Sequence, residues 1–175
     1  TVSCSAQKTT TPPPANTLIY TVDITKNRTP ISPYIYGKNF GDGNAENLTA
    51  ARLWGNRLTG YNWENNASNA GSDWNHSSDN YLGNTDIPGK VVTDFHDKNQ
   101  TNGMSYSLVT LQMAGYVARD KNGSVGPSEV APSARWDDVV FAKWSPFSLT
   151  PNLSDGHVYM DEEVNFLVSK YGKAS

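Results

Sequence analysis

At 175 residues, 37% hydrophobic and 11% aromatic, the chain is long enough for one domain with its own core. Its net charge of −3 and pI of about 5.5 come without any basic block, which excludes the electrostatic footprint of a nucleic-acid binder. No apolar run approaches the ~20 residues needed to cross a bilayer as a helix.

Residues 1–16 are rich in Thr and Pro and read as a disordered tether, with three consecutive prolines favouring polyproline II. The single cysteine, Cys4, cannot form an internal disulfide and has no metal-ligand spacing. Val2-Ser3-Cys4-Ser5 resembles the end of a bacterial lipoprotein signal, apart from Thr1, where that pattern prefers an aliphatic residue. That resemblance implies a lipid anchor at Cys4 and a secreted or cell-surface bacterial location. A chance cysteine in a disordered tail is the other reading. From Thr17 to Ile24, Leu18, Tyr20, Val22 and Ile24 alternate, which predicts a strand with one buried face. A turn follows over residues 26–30.

Tyr34 to Gly37 reads as a short strand. Asn44 can cap a short helix through Ala51, and Arg52 to Arg57 reads as a second strand. Asn56 to Tyr81 then forms a long polar stretch of amides, hydroxyls and two indoles, Trp63 and Trp74, with no aliphatic run. This is expected to be an extended loop, poor as core material. Lys90 to Asn99 carries Val91, Val92 and Phe95 on one helical face, and Asn102-Gly103 stops it. Tyr106 to Met113 is the strongest strand, expected to be buried on both faces. Tyr116 to Arg135 reads as a second long loop and Trp136 to Lys143 as helical. His157 to Tyr171 is the clearest helix, with Met160, Val164, Leu167, Val168 and Tyr171 on one stripe, three acids at its start and Gly172 as its cap. One strand followed by three strand–helix units predicts an α/β fold with a parallel sheet and right-handed crossovers.

A long loop inside a compact domain is usually functional or disordered, and aromatics argue against disorder. Amides and carboxylates match sugar hydroxyls as donors and acceptors, and indole planes can stack on the apolar faces of sugar rings. The substrate-facing candidates are Arg57, Tyr61, Asn62, Trp63, Asn65 and Trp74. Trp74 is the preferred stacking platform, while Trp63 could equally be packed inward. The competing interpretation is an Asn/Ser-rich surface loop with two partly buried tryptophans. Trp54, Trp136 and Trp144 read as packing residues, and His96 as a structural histidine.

The run ARLWGNRLTGYNWENNASNAGSDW closely resembles the signature of glycoside hydrolase family 44, the endo-β-1,4-glucanases and xyloglucanases. The later runs FHDKNQTNG, YSLVTLQMAGYVARDKNGSV, APSARWDDVVFAK and YMDEEVNFLVSKYG agree with it in order, so the resemblance covers roughly Ile31 to Gly172. It implies an incomplete (β/α)8 TIM-like barrel, its first three β/α units, over residues 31–175. Residues 17–30 would then supply an N-terminal β-strand belonging to a β-sandwich domain. It also implies a retaining cleavage of internal β-1,4-glucosidic bonds in cellulose-like glucans or xyloglucan. The family's acid/base glutamate stands in an Asn-Glu-Pro context that does not occur in this sequence, and its nucleophile region is absent too. No catalytic residue is therefore carried over, the chain reads as an N-terminal portion, and it is expected to be inactive alone. Family members carry a structural cation, usually calcium, near the polar loop. Glu64, Asn152, Asp155 and Asp161 are the matching oxygen ligands, with a solvated acidic turn as the alternative for residues 152–156. A non-catalytic carbohydrate-binding protein and an Asn-rich surface lipoprotein remain as rival functions.

Overall fold

A parallel strand pair needs a crossover to return the chain, and this protein builds its first sheet that way. The computed structural model describes residues 18, 20–40 and 46–173. In chain order its elements are β1 (Gly37–Asn39), β2 (Ala50–Arg52), α1 (Asn56–Thr59), β3 (Ser68–Asn69), β4 (Ser77–Asp79), α2 (Lys90–Thr101), β5 (Tyr106–Leu108), β6 (Tyr116–Ala118), β7 (Gly123–Ser124), β8 (Trp136–Val140), β9 (His157–Tyr159) and α3 (Met160–Tyr171). The first sheet, ordered β1-β2-β5, is wholly parallel, with Gly37 opposite Ala50 and Ala50 opposite Tyr106. A second sheet, β3-β4-β7, is antiparallel. A third, β6-β8-β9, mixes an antiparallel pair with a parallel one.

Residues 1–31 form a unit separate from residues 32–175. Within the first, the strand expected from Thr17 to Ile24 is not formed among the described residues. A strand exists only with a partner, and Leu18, Tyr20, Val22 and Ile24 are each at least 73% exposed. The tether and Cys4 lie outside the described residues.

The second strand is displaced from its expected position. Ala50 and Ala51 belong to β2, and Asn56 and Arg57 open α1, three residues beyond the strand's C-terminal end. Residues 136–140 are strand, not helix. Val139 and Val140 are β-branched, which favours the pleated form, and Tyr116–Ala118 supplies a ladder partner on one side while His157–Tyr159 supplies one on the other. The 157–171 helix accordingly begins only at Met160. β5 is shorter than its apolar run and is not buried on both faces, since Leu108 is 55% exposed.

The two long loops are not loops throughout. Ser77 and Ser78 of the first pair with Ser124 and Gly123 of the second, which ties the two stretches into the antiparallel sheet. The first also supplies core. Leu58, Tyr61 and Trp63 are fully buried with Val117 and Val158, against Val91 and Val92 of α2. Burying each such side chain contributes about 1.5–3 kcal/mol. Phe166 of α3 packs on Trp63 at 5.5 Å and also closes the start of α2. There Gly89 sits at φ 64, and a Cβ would collide with the Phe166 ring, so only glycine fits.

Glu163 lies on the same helix, fully buried, and neither carboxylate oxygen has a hydrogen-bond partner among the described residues. Burial pushes it from its ordinary 4.5 up to about 8. The folded state therefore keeps a proton that the unfolded chain releases between those two values, and stability falls as pH rises through that window. Glu163→Gln, neutral at every pH, is expected to melt like the parent near pH 4.5 and above it at pH 8 and higher. Thermal melts across pH check this; an offset between the two proteins that does not change with pH would refute it.

Candidate functional site

The stretch from Asn56 to Tyr81 has little regular ladder, so its buried backbone groups must find other partners. Asparagine side chains provide them. Asn66 sits at φ 61, a left-handed conformation that Asn tolerates. Its Oδ1 accepts from Tyr61 Oη at 2.8 Å and Val91 N at 3.1 Å, and its Nδ2 donates to the carbonyls of Ile87 and Thr85. Asn62 donates to the Ala118 carbonyl and to Asp137, and accepts from Glu64 N. Asn65 donates to the Arg119 carbonyl and accepts from Ala67 N. Asn69 donates to the His76 carbonyl and Ser78 Oγ and accepts from Gly71 N.

This network revises the substrate-facing set. Tyr61, Asn62 and Trp63 are at most 1% exposed, so they cannot meet a ligand at the surface. Asn65 is committed to holding the 118–119 backbone. Arg57 and Trp74 do reach a cavity of about 530 Å³, which Trp54, Tyr81, Asn56, Asp73 and Asp79 also line. It lies beyond the C-terminal end of β2.

The cavity's wall is built by Arg57. Its guanidinium pairs with both oxygens of Asp79, at 2.5 and 3.1 Å, donates to Ser68 Oγ, and lies 4.4 Å from the centre of the Tyr81 ring. Tyr81 in turn meets Trp54 edge-on at 5.3 Å, and Trp54 meets Phe40 at 3.8 Å. Trp54 is held at φ 47, a left-handed conformation costing about 1–2 kcal/mol for such a residue. Opposite this wall, the single 3-10 turn Gly71–Trp74 carries Trp74, which is 67% exposed. Asn56 Nδ2 donates to Asp73 on the same turn at 2.5 Å. Trp54 thus packs against the core, as expected, and also lines the cavity. Trp144 is not core, at 80% exposure. Tyr81 and Trp54 flank the polar stretch in sequence, and aromatics bracketing such a stretch are the signal that could have found them.

Glycosidic chemistry needs a carboxylic acid whose proton is retained near neutral pH. Asp79 is the reverse case. Its burial opposes ionisation, but hydrogen bonds from Arg57 and Tyr81 N, with the Arg57 charge, hold it below the usual carboxylate range. Asp79 is therefore held ionised by Arg57 and keeps no proton to give.

The expected cation ligands do not converge as a set. Among the described residues, no three carboxylate, imidazole or thiolate side chains come together closely enough to hold a metal. Asp161 accepts from Lys143 N and Trp144 N with both oxygens occupied, at 2.9–3.0 Å. Asn152 Oδ1 is engaged by Ser154 in a local turn. Glu64 is different: it is 2% exposed and sits among other carboxylates. Burial first, then the charges of Asp155, Glu162 and Asp137, push it up to about 8.

The model of glycoside hydrolase family 44 matches residues 67–175. An endoglucanase A from Paenibacillus lautus is 60% identical over 169 residues, covering 92% of this chain and 24% of that protein. A Paenibacillus polymyxa xyloglucanase of the family, solved with xyloglucan, superposes with a TM-score of 0.79 at 61% identity, over 83% of this chain and 30% of that one. A family 44 endoglucanase from Clostridium thermocellum gives 0.79 at 55%, over 85% and 30%. The chain thus spans about a quarter to a third of the length of these relatives.

Proposed function

Because the chain belongs to glycoside hydrolase family 44, we propose that it supplies part of the glucan cleft of an enzyme cleaving internal β-1,4-glucosidic bonds in cellulose-like glucans or xyloglucan. The observation that carries this is the aromatic cavity beyond β2, with the exposed Trp74 facing a wall of Tyr81 and Trp54. Sugar rings offer an apolar face to such planes and hydroxyls to Asn56 and Asp73. Retention of configuration, and the carboxyl pair it needs, come with the family and not from this cavity. We further propose that the parallel β1-β2-β5 sheet is a portion of a (β/α)8 barrel. What supports this is the parallel order of its three strands, with the helix Lys90–Thr101 on the crossover between β2 and β5.

Trp74→Ala is expected to weaken binding of soluble xyloglucan about tenfold, within the ~1–3 kcal/mol that aromatic stacking contributes on nucleobases. Affinity electrophoresis in xyloglucan gels measures it. Unchanged retardation of the variant removes Trp74 as the platform, and no retardation of the parent protein removes the glucan-binding reading.

A calcium ion is proposed at Glu64 and Asp155, without Asn152 or Asp161. A buried carboxylate in a field of like charges fits a hard cation. Bound there, the ion would supply the positive charge that Lys143 alone provides to Glu64. Calcium is expected to raise the melting temperature, more at pH 8 than at pH 6 because Glu64 must lose its proton to bind. Identical melting in calcium and in excess chelator would dismiss the site.

A polymeric substrate places the reaction outside the cell, and we propose a secreted or cell-surface protein anchored by lipid at Cys4. Growth of the producing cells with radiolabelled palmitate is expected to label the protein in a Cys4-dependent manner. Label retained in Cys4→Ser would sink the anchor.

A further inference from the structure

The carbonyls of a one-turn helix have no donors of their own. In α1 every carbonyl falls among the last four of the helix, which intrahelical bonding leaves open. Leu58 is fully buried, so its carbonyl needs a partner from the protein. Gln112 supplies it, its Nε2 donating at 3.0 Å from a position 54 residues further along the chain. The same Nε2 donates to the Thr110 carbonyl at 2.8 Å, which fixes the plane of the amide.

Gln112 is itself 0% exposed, and its Oε1 has no partner among the described residues. A methionine would fill the same space without that orphaned acceptor. A buried amide kept with one atom unsatisfied points to a task for the other. The location of the bond says which task. β2 and β5 are parallel neighbours, and the ladder between them runs on through Leu53 N to the Leu108 carbonyl. Beyond it the two segments part, one into α1 and the other into residues 109–112, and the Gln112–Leu58 bond ties them together again. α1 also carries Asn56 and Arg57 to the cavity, where Asn56 is bonded to Asp73 and Arg57 to Asp79 and Ser68. Those bonds hold the tips of two side chains. They do not hold the turn from which the side chains start, and its N-cap, Gly55, offers no side-chain bond.

We propose that Gln112 is a positioning residue for the cleft: from inside the fold it fixes the Asn56–Thr59 turn and, through it, the Arg57 guanidinium that faces Tyr81. It touches no ligand. The effect on binding rests on the main cavity being a glucan subsite, as proposed above. Without the Gln112 donor the buried Leu58 carbonyl has to turn towards another partner. The turn then shifts under Arg57, and the Tyr81 ring, 4.4 Å from that guanidinium, shifts with it.

The test measures binding of soluble xyloglucan by calorimetry on the 175-residue chain, together with the Arg57 Nε–H signal in heteronuclear NMR. Gln112→Met keeps the length of the side chain and removes the donor. Met104→Ala truncates a buried side chain just before β5, at the opposite end of that strand from the turn, and controls for lost stability. Gln112→Met is expected to weaken xyloglucan about fivefold, the scale of one lost hydrogen bond, and to move the Arg57 signal. Met104→Ala is expected to lower the melting temperature at least as far and to change neither readout. In an Arg57→Ala background, Gln112→Met is expected to weaken binding by less than about twofold further, because it acts through that arginine. Gln112→Asn, which keeps the amide but shortens its reach, is expected to behave the same way and serves where Gln112→Met does not fold. Unchanged binding in the Gln112 variant overturns the proposal. So does an equal loss in Met104→Ala, or the same loss retained in the Arg57→Ala background. If the parent protein binds no xyloglucan, the glucan reading falls and the Arg57 signal decides for Gln112. Moved by the Gln112 variant and not by Met104→Ala, it supports the positioning; any other result overturns it.

Discussion

Buried backbone without a ladder is the constraint on which this structure depends. A peptide group removed from water must be hydrogen-bonded or it costs on the order of 1–3 kcal/mol. Residues 60–70 are folded inward with only two residues of strand among them. Four asparagines answer the constraint by acting as substitute strands. Asn66 donates to the carbonyls of Thr85 and Ile87 and accepts from the amide of Val91, so it fastens the polar stretch to the start of α2. Asn62 and Asn65 do the same for residues 118 and 119 at the end of β6. Only with that backbone satisfied can Tyr61 and Trp63 enter the core, and only with them inside does the 71–74 turn project outward with Trp74.

The acidic side chains divide by whether a donor meets them. Asp79 and Asp137 have arginine partners. Asp161 and Glu162 turn back from the first turn of α3 to collect the backbone N–H groups of Lys143, Trp144 and Ser148 and the Lys143 ammonium, so charge that suits the helix dipole also anchors the 143–148 segment. Glu163 has no donor among the described residues, and both it and Glu64 are pushed up to about 8 by burial. These two are where binding of a proton or a cation most affects the folded state.

Much of this was legible from periodicity. The stripe from Met160 to Tyr171 and the face of Val91, Val92 and Phe95 appear as helices because a 3.6-residue repeat has few other uses. The polar stretch was legible as special but not as to which side chains face inward. It has no period, and the donor and acceptor set of Asn serves a sugar hydroxyl and a peptide group equally well. Composition therefore pointed to Tyr61, Asn62, Trp63 and Asn65 for chemistry that belongs to the fold. Trp136 to Val140 was misread because Asp137, Asp138 and Ala142 resemble a helix surface. The partners that make it a strand, 116–118 and 157–159, are about twenty residues away on either side.

The cavity has one fixed side and one free side, and the difference has a physical cause. On the fixed side, Arg57 is clamped between Asp79 and Ser68, and its guanidinium faces Tyr81, which props Trp54 against Phe40. Each ring there is held by a neighbour before a ligand arrives, so little side-chain freedom remains to be lost on binding. On the free side, the turn that carries Trp74 is held by Gly71 N donating to Asn69, His76 N donating to the Gly71 carbonyl and the Asn56–Asp73 hydrogen bond, while the indole itself is 67% exposed. The site is thus preorganised on one side and open on the other. The strained backbone at Trp54 belongs to the rigid side for the same reason: a conformation that costs energy is kept where a fixed ring position matters more than local stability.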